Sequence, residues 1–181
     1  MSRIGKLPIT IPAGVTVEVN GNVVTVKGGN TTLTQDFSNN IAVEVKDGVV
    51  LVSRKDETAD SNAKQGLYRQ LINNMVVGVK EGFKKSLTVS GVGYKLAKQG
   101  NKLVMNLGLS HPVEVEEVPG IKFEVPDNNT ILVCGADKQL VGAVAAKIKA
   151  LRPVEPYHGY GIHYTDEKVV LKAGKSASKK K

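Results

Sequence analysis

The residues best suited to contact a polyanion lie in two short stretches of the second half of the chain. The first stretch, GVGYKLAK, combines glycines, a tyrosine and lysines at Gly91, Gly93, Tyr94, Lys95 and Lys98. Lysine binds phosphate by charge, and glycine lets backbone N–H groups approach an anion closely. Tyrosine can stack on an exposed base or ribose, or donate its hydroxyl to a phosphate. Together these residue types indicate contact with a nucleic acid.

The second stretch, residues 156–164, holds three of the five tyrosines of the chain, together with Gly159 and Gly161. We interpret Tyr160 as a contact residue because glycines on both sides hold it away from the core. Tyr157 fits equally well a contact residue or a turn residue that covers the edge of the core. No recognition helix or RNP-type motif is present, so recognition of RNA shape and backbone is favoured over reading of a DNA sequence.

Positive charge is concentrated in the second half of the chain. Residues 1–82 carry nine basic and eight acidic side chains, whereas residues 83–181 carry sixteen and nine, which together give the net charge of +8. Such an asymmetry points to an interaction surface. A run of carboxylates is expected to face away from a polyanion: Glu114, Glu116, Glu117, Glu124 and Asp127. Further basic side chains predicted to anchor the partner are Lys84, Lys85, Arg152, Lys172 and Lys175.

The residue combinations that catalysis requires are missing from the sequence. His158 and His163 have no further metal-type residue beside them at ligand spacing, and His111 precedes a proline in an expected turn. No nucleophile elbow and no phosphate-binding loop motif occurs. The single cysteine, Cys134, cannot form an internal disulfide and lies in an apolar strand. We therefore predict no enzyme activity, no cofactor, no metal and no small-molecule substrate.

The sequence also argues against a membrane or a secretory route. The longest apolar run, residues 140–146, is far shorter than the roughly 20 residues of a membrane-spanning helix. The N-terminus lacks the apolar region of a signal peptide. We therefore expect a cytoplasmic protein with no membrane partner.

The secondary-structure elements that must position these residues form one unit that is repeated along the chain. Gly21-Asn22 matches Gly100-Asn101, each between two strand-like runs, and weaker matches follow in the same order through later strands and a helix. Alternating valines predict half-buried strands, and the glycines between them predict tight hairpins. In the first unit further strands are expected at Ile41–Val45 and Val49–Val52, joined around Asp47-Gly48.

A change of apolar period predicts one helix in each unit. The first helix spans Asp60 to Val77, with Asp60 or Ser61 as its N-cap. Its expected apolar stripe is Ala63, Leu67, Leu71 and Met75. The second helix is capped by Asp137 and ended by Pro153, and its expected apolar face is Leu140, Val141, Val144, Ile148 and Leu151. A strand is expected to follow at Val169–Leu171.

These elements predict an α+β fold made of two tandem copies of a small antiparallel β-sheet with one α-helix packed on it, followed by a basic C-terminal tail. We expect an N-terminal repeat at 1–82 and a C-terminal repeat at 83–172, the latter being the main binding half. Residues 173–181 form the tail, which is expected to be disordered on its own.

Longer segments of the chain resemble a known family. SRIGKLPITIPAGV, INNMVVGVKEGF, LTVSGVGYKL, LGLSHPVE and RPVEPYHGYGI occur in order along the chain, and together they are similar to the family of large-subunit ribosomal protein six in its bacterial form. The resemblance implies two tandem α+β domains and a structural role. It also implies binding of large-subunit (23S-type) rRNA, mostly through the C-terminal domain, near the stalk base and the translation-factor site. Neighbouring ribosomal proteins are the further partners that it implies.

The signature loop of that family falls on one continuous segment: Pro156, Tyr157, His158, Gly159, Tyr160, Gly161 and Ile162. The family usually has lysine where this chain has His158 and Tyr160. The difference removes two positive charges from the expected RNA face and favours stacking or hydroxyl donation there. The glycines and Tyr157 are retained, which predicts that the loop keeps its shape.

Two other functions are alternatives to a ribosomal role. An unrelated basic β-repeat module that binds DNA or a membrane surface would explain the charge but not the full-length resemblance. A small enzyme using His158 and His163 would explain neither the basic half nor the repeat. A membrane surface would also require a basic amphipathic helix with bulky apolar residues. The sequence therefore favours electrostatic docking of the C-terminal half onto folded rRNA, while the nearly neutral N-terminal half braces it or meets another surface.

Overall fold

The computed structural model describes residues 3–29 and 31–175, and it divides the chain into two compact units. The first unit runs to Gly82 and includes the short segment Ala136–Lys138, and the second comprises Phe83–Gly135 and the chain from Gln139 onward. Each unit combines antiparallel sheets with a long helix, so the predicted α+β class is confirmed. Each unit builds two small sheets where the sequence predicted one.

In the first unit the strands form two antiparallel sheets, ordered β2-β3-β4 and β1-β6-β5. The elements of this unit are β1 (Ile9–Thr10), β2 (Val15–Asn20), β3 (Val23–Gly28), β4 (Thr31–Asp36), β5 (Ile41–Lys46), β6 (Val49–Arg54) and α1 (Ala59–Lys80), preceded by a 3-10 turn at Ile4–Lys6. Gly21-Asn22 forms the two-residue turn between β2 and β3, and Asp47-Gly48 that between β5 and β6. Asp47 and Gly48 both have positive φ, as such hairpin turns require. The predicted hairpins are confirmed.

The second unit repeats this order of elements and adds one strand. Its elements are β7 (Phe83–Ser90), β8 (Lys95–Gln99), β9 (Lys102–Asn106), β10 (Val113–Glu116), β11 (Ile121–Asp127), β12 (Thr130–Gly135), α2 (Lys138–Leu151) and β13 (Gly161–Tyr164). The sheets are ordered β10-β9-β8 and β11-β12-β7-β13. Gly100-Asn101 turns β8 into β9 as Gly21-Asn22 turns β2 into β3. The added strand β13 pairs with β7 and carries the end of the signature loop into the sheet.

The core of the second unit holds α2 against the larger sheet. Fully buried side chains come from both sheets and from the helix, among them Leu87, Leu103, Met105, Phe123, Ile131, Ile148 and Ile162. The predicted face of α2 is buried at Val141, Val144 and Ile148. Leu140 packs at the edge of this core, whereas Leu151 is more than one third exposed. The apolar face was therefore predicted correctly except at its last residue.

The predicted apolar stripe of α1 is correct at Met75, which is buried, and Leu71 is partly buried, but the rest of the stripe is wrong. Ala63 and Leu67 are exposed, and the positions that face the core are Ser61, Gln65, Ile72, Met75, Val76 and Gly78. The reason is a buried amide. Gln65 Nε2 donates hydrogen bonds to Val52 O at 2.9 Å and to Gly5 O at 3.3 Å, so a polar side chain occupies a core position that sequence periodicity assigns to an apolar one.

Two smaller predictions, the N-cap of α1 and a last strand after β13, are also wrong. The N-cap of α1 is Thr58, whose hydroxyl accepts a hydrogen bond from Ser61 N; neither Asp60 nor Ser61 caps the helix. The segment 169–171 is not a strand. β13 already occupies the sheet edge beside β7. The chain after it contacts the signature loop instead, where Lys172 N donates to Pro156 O at 2.7 Å.

Replacement of Gly142 by alanine should stabilise the protein. Gly142 lies on the exposed side of α2, and a Cβ built there meets no atom within 4 Å. Alanine loses less backbone entropy on folding than glycine in a helix, so Gly142→Ala should raise the free energy of unfolding by about 0.5–1 kcal/mol. Urea unfolding followed by circular dichroism measures the change.

Gly135→Ala is the matched comparison. There a Cβ would lie 2.7 Å from Gly120 O and 2.8 Å from Ile121 Cδ1, so the same substitution should destabilise. An unchanged or lower unfolding free energy for Gly142→Ala would contradict the described position of α2.

Candidate nucleic-acid interface

Tyr94 lies in a slot formed by two glycines. The segment 91–94 is a turn in which Tyr94 N donates to Gly91 O at 3.3 Å. A Cβ on Gly91 would come within 2.6 Å of the Tyr94 ring, and one on Gly108 within 3.1 Å. The glycines therefore allow the ring to pack against the backbone. Tyr94 is half-buried and packs against the core, so the protein itself covers part of its ring.

Arg152 joins the two stretches that the sequence singled out. Its Nε donates to the Tyr94 hydroxyl at 3.2 Å, and its carbonyl accepts from Ile162 N at 2.8 Å. Residues 91–95 and the loop that ends at Ile162 thus lie side by side within the second unit. Arg152 and Tyr94 are 58 positions apart along the chain, so no local pattern predicts this link.

The signature loop is closed by its own backbone. Glu155 N donates to Tyr160 O at 2.9 Å, and Gly159 N donates to Glu155 O at 3.2 Å. Gly159 has a φ of +76°, a conformation that glycine adopts without strain. Behind the loop, Lys172 N bonds to Pro156 O. The loop therefore has a defined shape before any partner binds.

The loop presents aromatic rings to solvent. The rings of His158 and Tyr160 are stacked, with centroids 5.4 Å apart and planes 19° apart. His158 Nδ1 lies 2.8 Å from Glu155 Oε1, which ties the outer ring to the loop. Tyr157 is 53 % exposed and Tyr160 39 % exposed. Tyr157 and Tyr160 are both on the surface, in contrast to the half-buried Tyr94.

The predicted lysine anchors fall into two groups. Lys84, Lys95 and Lys172 are exposed and have no ion-pair partner among residues 3–29 and 31–175. By contrast, Lys85 pairs with Asp166 at 2.9 Å, and Lys98 pairs with Glu117 at 2.8 Å. A lysine already paired with a carboxylate contributes less net charge to a surface than an unpaired one. Lys175, also exposed, is the last described residue.

Tyr164 forms a charged cluster with the predicted anchor Lys85 and with three residues that the sequence did not single out, Lys149, Asp166 and Glu167. The ammonium groups of Lys85 and Lys149 each lie 4.7 Å from the Tyr164 ring centroid. Glu167 Oε2 accepts from Lys149 at 2.5 Å. Hydrogen bonds from Lys85 and from Lys149 lower the pKa of Asp166 and of Glu167, respectively. Because these partners are far apart in sequence, no local pattern could have indicated the cluster.

The predicted acidic strip is partly neutralised within the second unit. Lys102 Nζ lies 3.0 Å from Glu116 and 3.4 Å from Glu114. Glu117 is the most enclosed of the three, with its side chain 14 % exposed. It accepts hydrogen bonds from Lys98 Nζ and from Phe123 N, both at 2.8 Å. Glu117 therefore links the end of β10 to β8 through Lys98 and to β11 through the Phe123 backbone.

Glu117→Gln should destabilise the protein in a pH-dependent way. Hydrogen bonds from Lys98 and then from Phe123 N–H lower the pKa of Glu117 below its ordinary value of 4.5. A depressed carboxyl pKa contributes stability above the unfolded-state pKa and loses it as the pH falls through the folded-state pKa. The variant should therefore lose about 1–3 kcal/mol of unfolding free energy at pH 7. The difference in unfolding free energy between the variant and the wild type should shrink as the pH falls below about 4.5, because Glu117 of the wild type then becomes protonated.

Urea titrations from pH 7 to pH 3 measure this gap. Glu114→Gln, which removes an exposed carboxylate near Lys102, is the control and should change stability by less than about 1 kcal/mol. A gap for Glu117→Gln that stays constant with pH would contradict the role of its charge.

Other chemistry has little support in the described structure. Within residues 3–29 and 31–175, no group of three His, Cys, Asp or Glu side chains could hold a metal ion. Burial first, and then the charge of Glu124, raise the pKa of the Cys134 thiol, which disfavours a thiolate nucleophile. No helix of the described chain is long and apolar enough to cross a membrane.

Comparisons with known proteins agree with one another. The sequence profile of the family described as ribosomal protein L6 matches residues 11–82 and 90–165, which is one match in each half of the chain. A protein of Fusobacterium nucleatum named large ribosomal subunit protein uL6 is 51 % identical over 177 residues, covering 98 % of this chain and all of the relative.

Proteins with the same name in two further organisms give similar values. The relative in Caldanaerobacter subterraneus is 53 % identical over 99 % of this chain and all of its own length. The relative in Carboxydothermus hydrogenoformans is 51 % identical over the full length of both chains. The similarity therefore extends over both units and includes the signature loop.

Proposed function

The chain belongs to the ribosomal protein L6 family, a structural and non-enzymatic component of the large ribosomal subunit, and from this membership we propose that it binds large-subunit rRNA directly. The second unit makes the main contact. The observation that carries the proposal is the pairing of two candidate stretches in one place. Arg152 holds Tyr94 beside the closed loop 155–160, and the same unit carries exposed lysines that have no ion-pair partner in the described part of the chain.

The proposed contact is electrostatic and uses the shape of the RNA. Within residues 3–29 and 31–175, the ammonium groups of Lys84, Lys95 and Lys172 have no ion-pair partner, and the guanidinium of Arg152 bonds to the neutral hydroxyl of Tyr94 and to no carboxylate. Positive side chains position a protein on phosphate without reading sequence. Lys85 and Lys98 are proposed to contribute less to rRNA binding, because each already forms an ion pair, with Asp166 and Glu117 respectively.

The first unit is proposed to meet neighbouring ribosomal proteins. Its charge is nearly balanced, with nine basic and eight acidic side chains in residues 1–82. A near-neutral surface gains little from phosphate contact. The resemblance noted from the sequence also supports a position near the stalk base and the translation-factor site. The chain would then reside in the ribosome.

Sedimentation of native cell extract tests the proposal. The chain should travel with the large subunit in a sucrose gradient at low salt, and extraction of purified subunits with rising salt should release it. Direct rRNA contact is then measured by zero-length ultraviolet crosslinking of the intact subunit. Crosslinked peptides should come from residues 84–98 and 152–172.

Two results would overturn the proposal. A chain that stays at the top of the gradient in growing cells would favour a free nucleic-acid-binding module. Crosslinks confined to residues 1–82 would assign the rRNA contact to the first unit and not to the second.

A further inference from the structure

We propose that the exposed face of the His158 ring receives one unpaired nucleobase, which extends the stack that Tyr160 and His158 already form. The inference rests on the proposed rRNA contact and adds the kind of nucleotide that the loop binds. Its starting point is the ring pair itself, stacked at 5.4 Å with a 19° angle between the planes. Such a pair has two outer faces, and the His158 side chain is two-thirds exposed.

The ring pair is fixed before anything binds to it. Glu155 Oε1 holds His158 through Nδ1 at 2.8 Å, and Glu155 N holds Tyr160 O at 2.9 Å. A single residue, Glu155, therefore fixes both sides of the stack. Because the rings are already ordered, the protein loses little additional conformational entropy when a base stacks on them.

The charges around the loop suit a nucleotide and its flanking phosphates. Arg152 and Lys172 are bonded through their backbones to Ile162 and Pro156, so both lie beside the loop. Neither has an ion-pair partner within the described residues. The carboxylate that precedes the loop, Glu155, contacts His158 Nδ1. A base on the stack would therefore have cations available for phosphates next to it.

The geometry also restricts the RNA structure that can bind. A base inside an A-form helix has both faces covered by its neighbours and cannot stack on a protein ring. The target is therefore a loop, a bulge or a strand end with one base turned out. Every base has a π-face, so the site does not select among the four bases by stacking alone.

Affinity measurements on a 23S-type rRNA transcript test the inference with the full chain. His158→Ala removes the outer ring and should weaken binding by about 5- to 150-fold, the range that alanine substitution of a base-stacking residue covers. The dependence of affinity on salt should keep its slope, because the contact that is removed is a stacking contact and not a phosphate contact. His158→Phe keeps a flat ring but loses the bond to Glu155, and it should bind within about fivefold of the wild type.

Each result either supports the inference or overturns it. Equal affinity of His158→Ala and the wild type would overturn the stack while leaving rRNA docking intact; a protein side chain, such as an arginine drawn to Glu155, would then be the better occupant. Equal losses in His158→Ala and His158→Phe would mean that the imidazole acts as a hydrogen-bond donor or cation, which also overturns stacking. Absence of rRNA binding by the wild type would instead remove the proposed function itself. Thermal unfolding of both variants controls for collapse of the loop.

Discussion

Raising the salt concentration from 50 to 200 mM should weaken binding of the chain to a 23S-type rRNA transcript by roughly 10³-fold, if about six phosphates are contacted. Each contacted phosphate releases a bound counterion, so the logarithm of the affinity falls linearly with the logarithm of the salt concentration. The second half of the chain has the charge for this, with sixteen basic and nine acidic side chains. Filter binding at four or five salt concentrations gives the slope.

The slope also tests which lysines take part. The double variant Lys84→Ala, Lys95→Ala removes two ammonium groups that have no ion-pair partner among the described residues. Its slope should be smaller by about two, so the same salt change should weaken its binding by only about 10²-fold. Lys27→Ala, Lys46→Ala removes two charges from the first unit and is the matched control. Both control lysines are exposed and pair with local glutamates, so the control slope should equal that of the wild type.

Two results would contradict this account of the surface. A flat salt response would exclude electrostatic docking. Equal reductions of the slope in both double variants would mean that overall charge, rather than the second unit, determines binding.

The hairpins were predictable because their signals are local. Gly21 and Gly100 each lie in a two-residue hairpin turn, and the Asp47-Gly48 turn needs positive φ at both positions. A residue type that tolerates such a backbone conformation can be read directly from the sequence. The same holds for most of the apolar face of α2, where burial follows the helical period.

The errors occur where a distant partner decides. Gln65 occupies a core position of α1 because the carbonyl oxygens of Gly5 and Val52 accept its amide hydrogens, and neither is near it in sequence. In the candidate interface, Lys85 and Lys98 look identical in sequence to the unpaired lysines. Their carboxylate partners lie 81 and 19 positions away. Net charge could therefore indicate a basic half, but not which of its cations remain available.

Gly161→Ala should lower the free energy of unfolding by about 2–4 kcal/mol and weaken rRNA binding with it. Gly161 is buried, and a Cβ there would lie 2.6 Å from Pro153 O and 2.7 Å from Val154 Cα. These are backbone atoms, so no side chain can turn aside to relieve the overlap. Its φ of +144° adds strain, because residues with a Cβ rarely adopt that region. Both costs fall on the joint where the loop enters β13.

Thermal unfolding and rRNA affinity of this variant should therefore change together, with Gly174→Ala as the control. Gly174 lies in the same unit, and a Cβ there meets nothing within 4 Å, so its replacement should leave both quantities near the wild-type values. If Gly161→Ala unfolds earlier but the folded fraction binds rRNA normally, the loop does not depend on this joint for its shape. If both quantities stay unchanged, the close approach of Gly161 to Pro153 is wrong. Joint losses would show that the strand β13 and the loop shape are one structural unit, because Gly161 is buried and its replacement removes no side chain that could contact RNA.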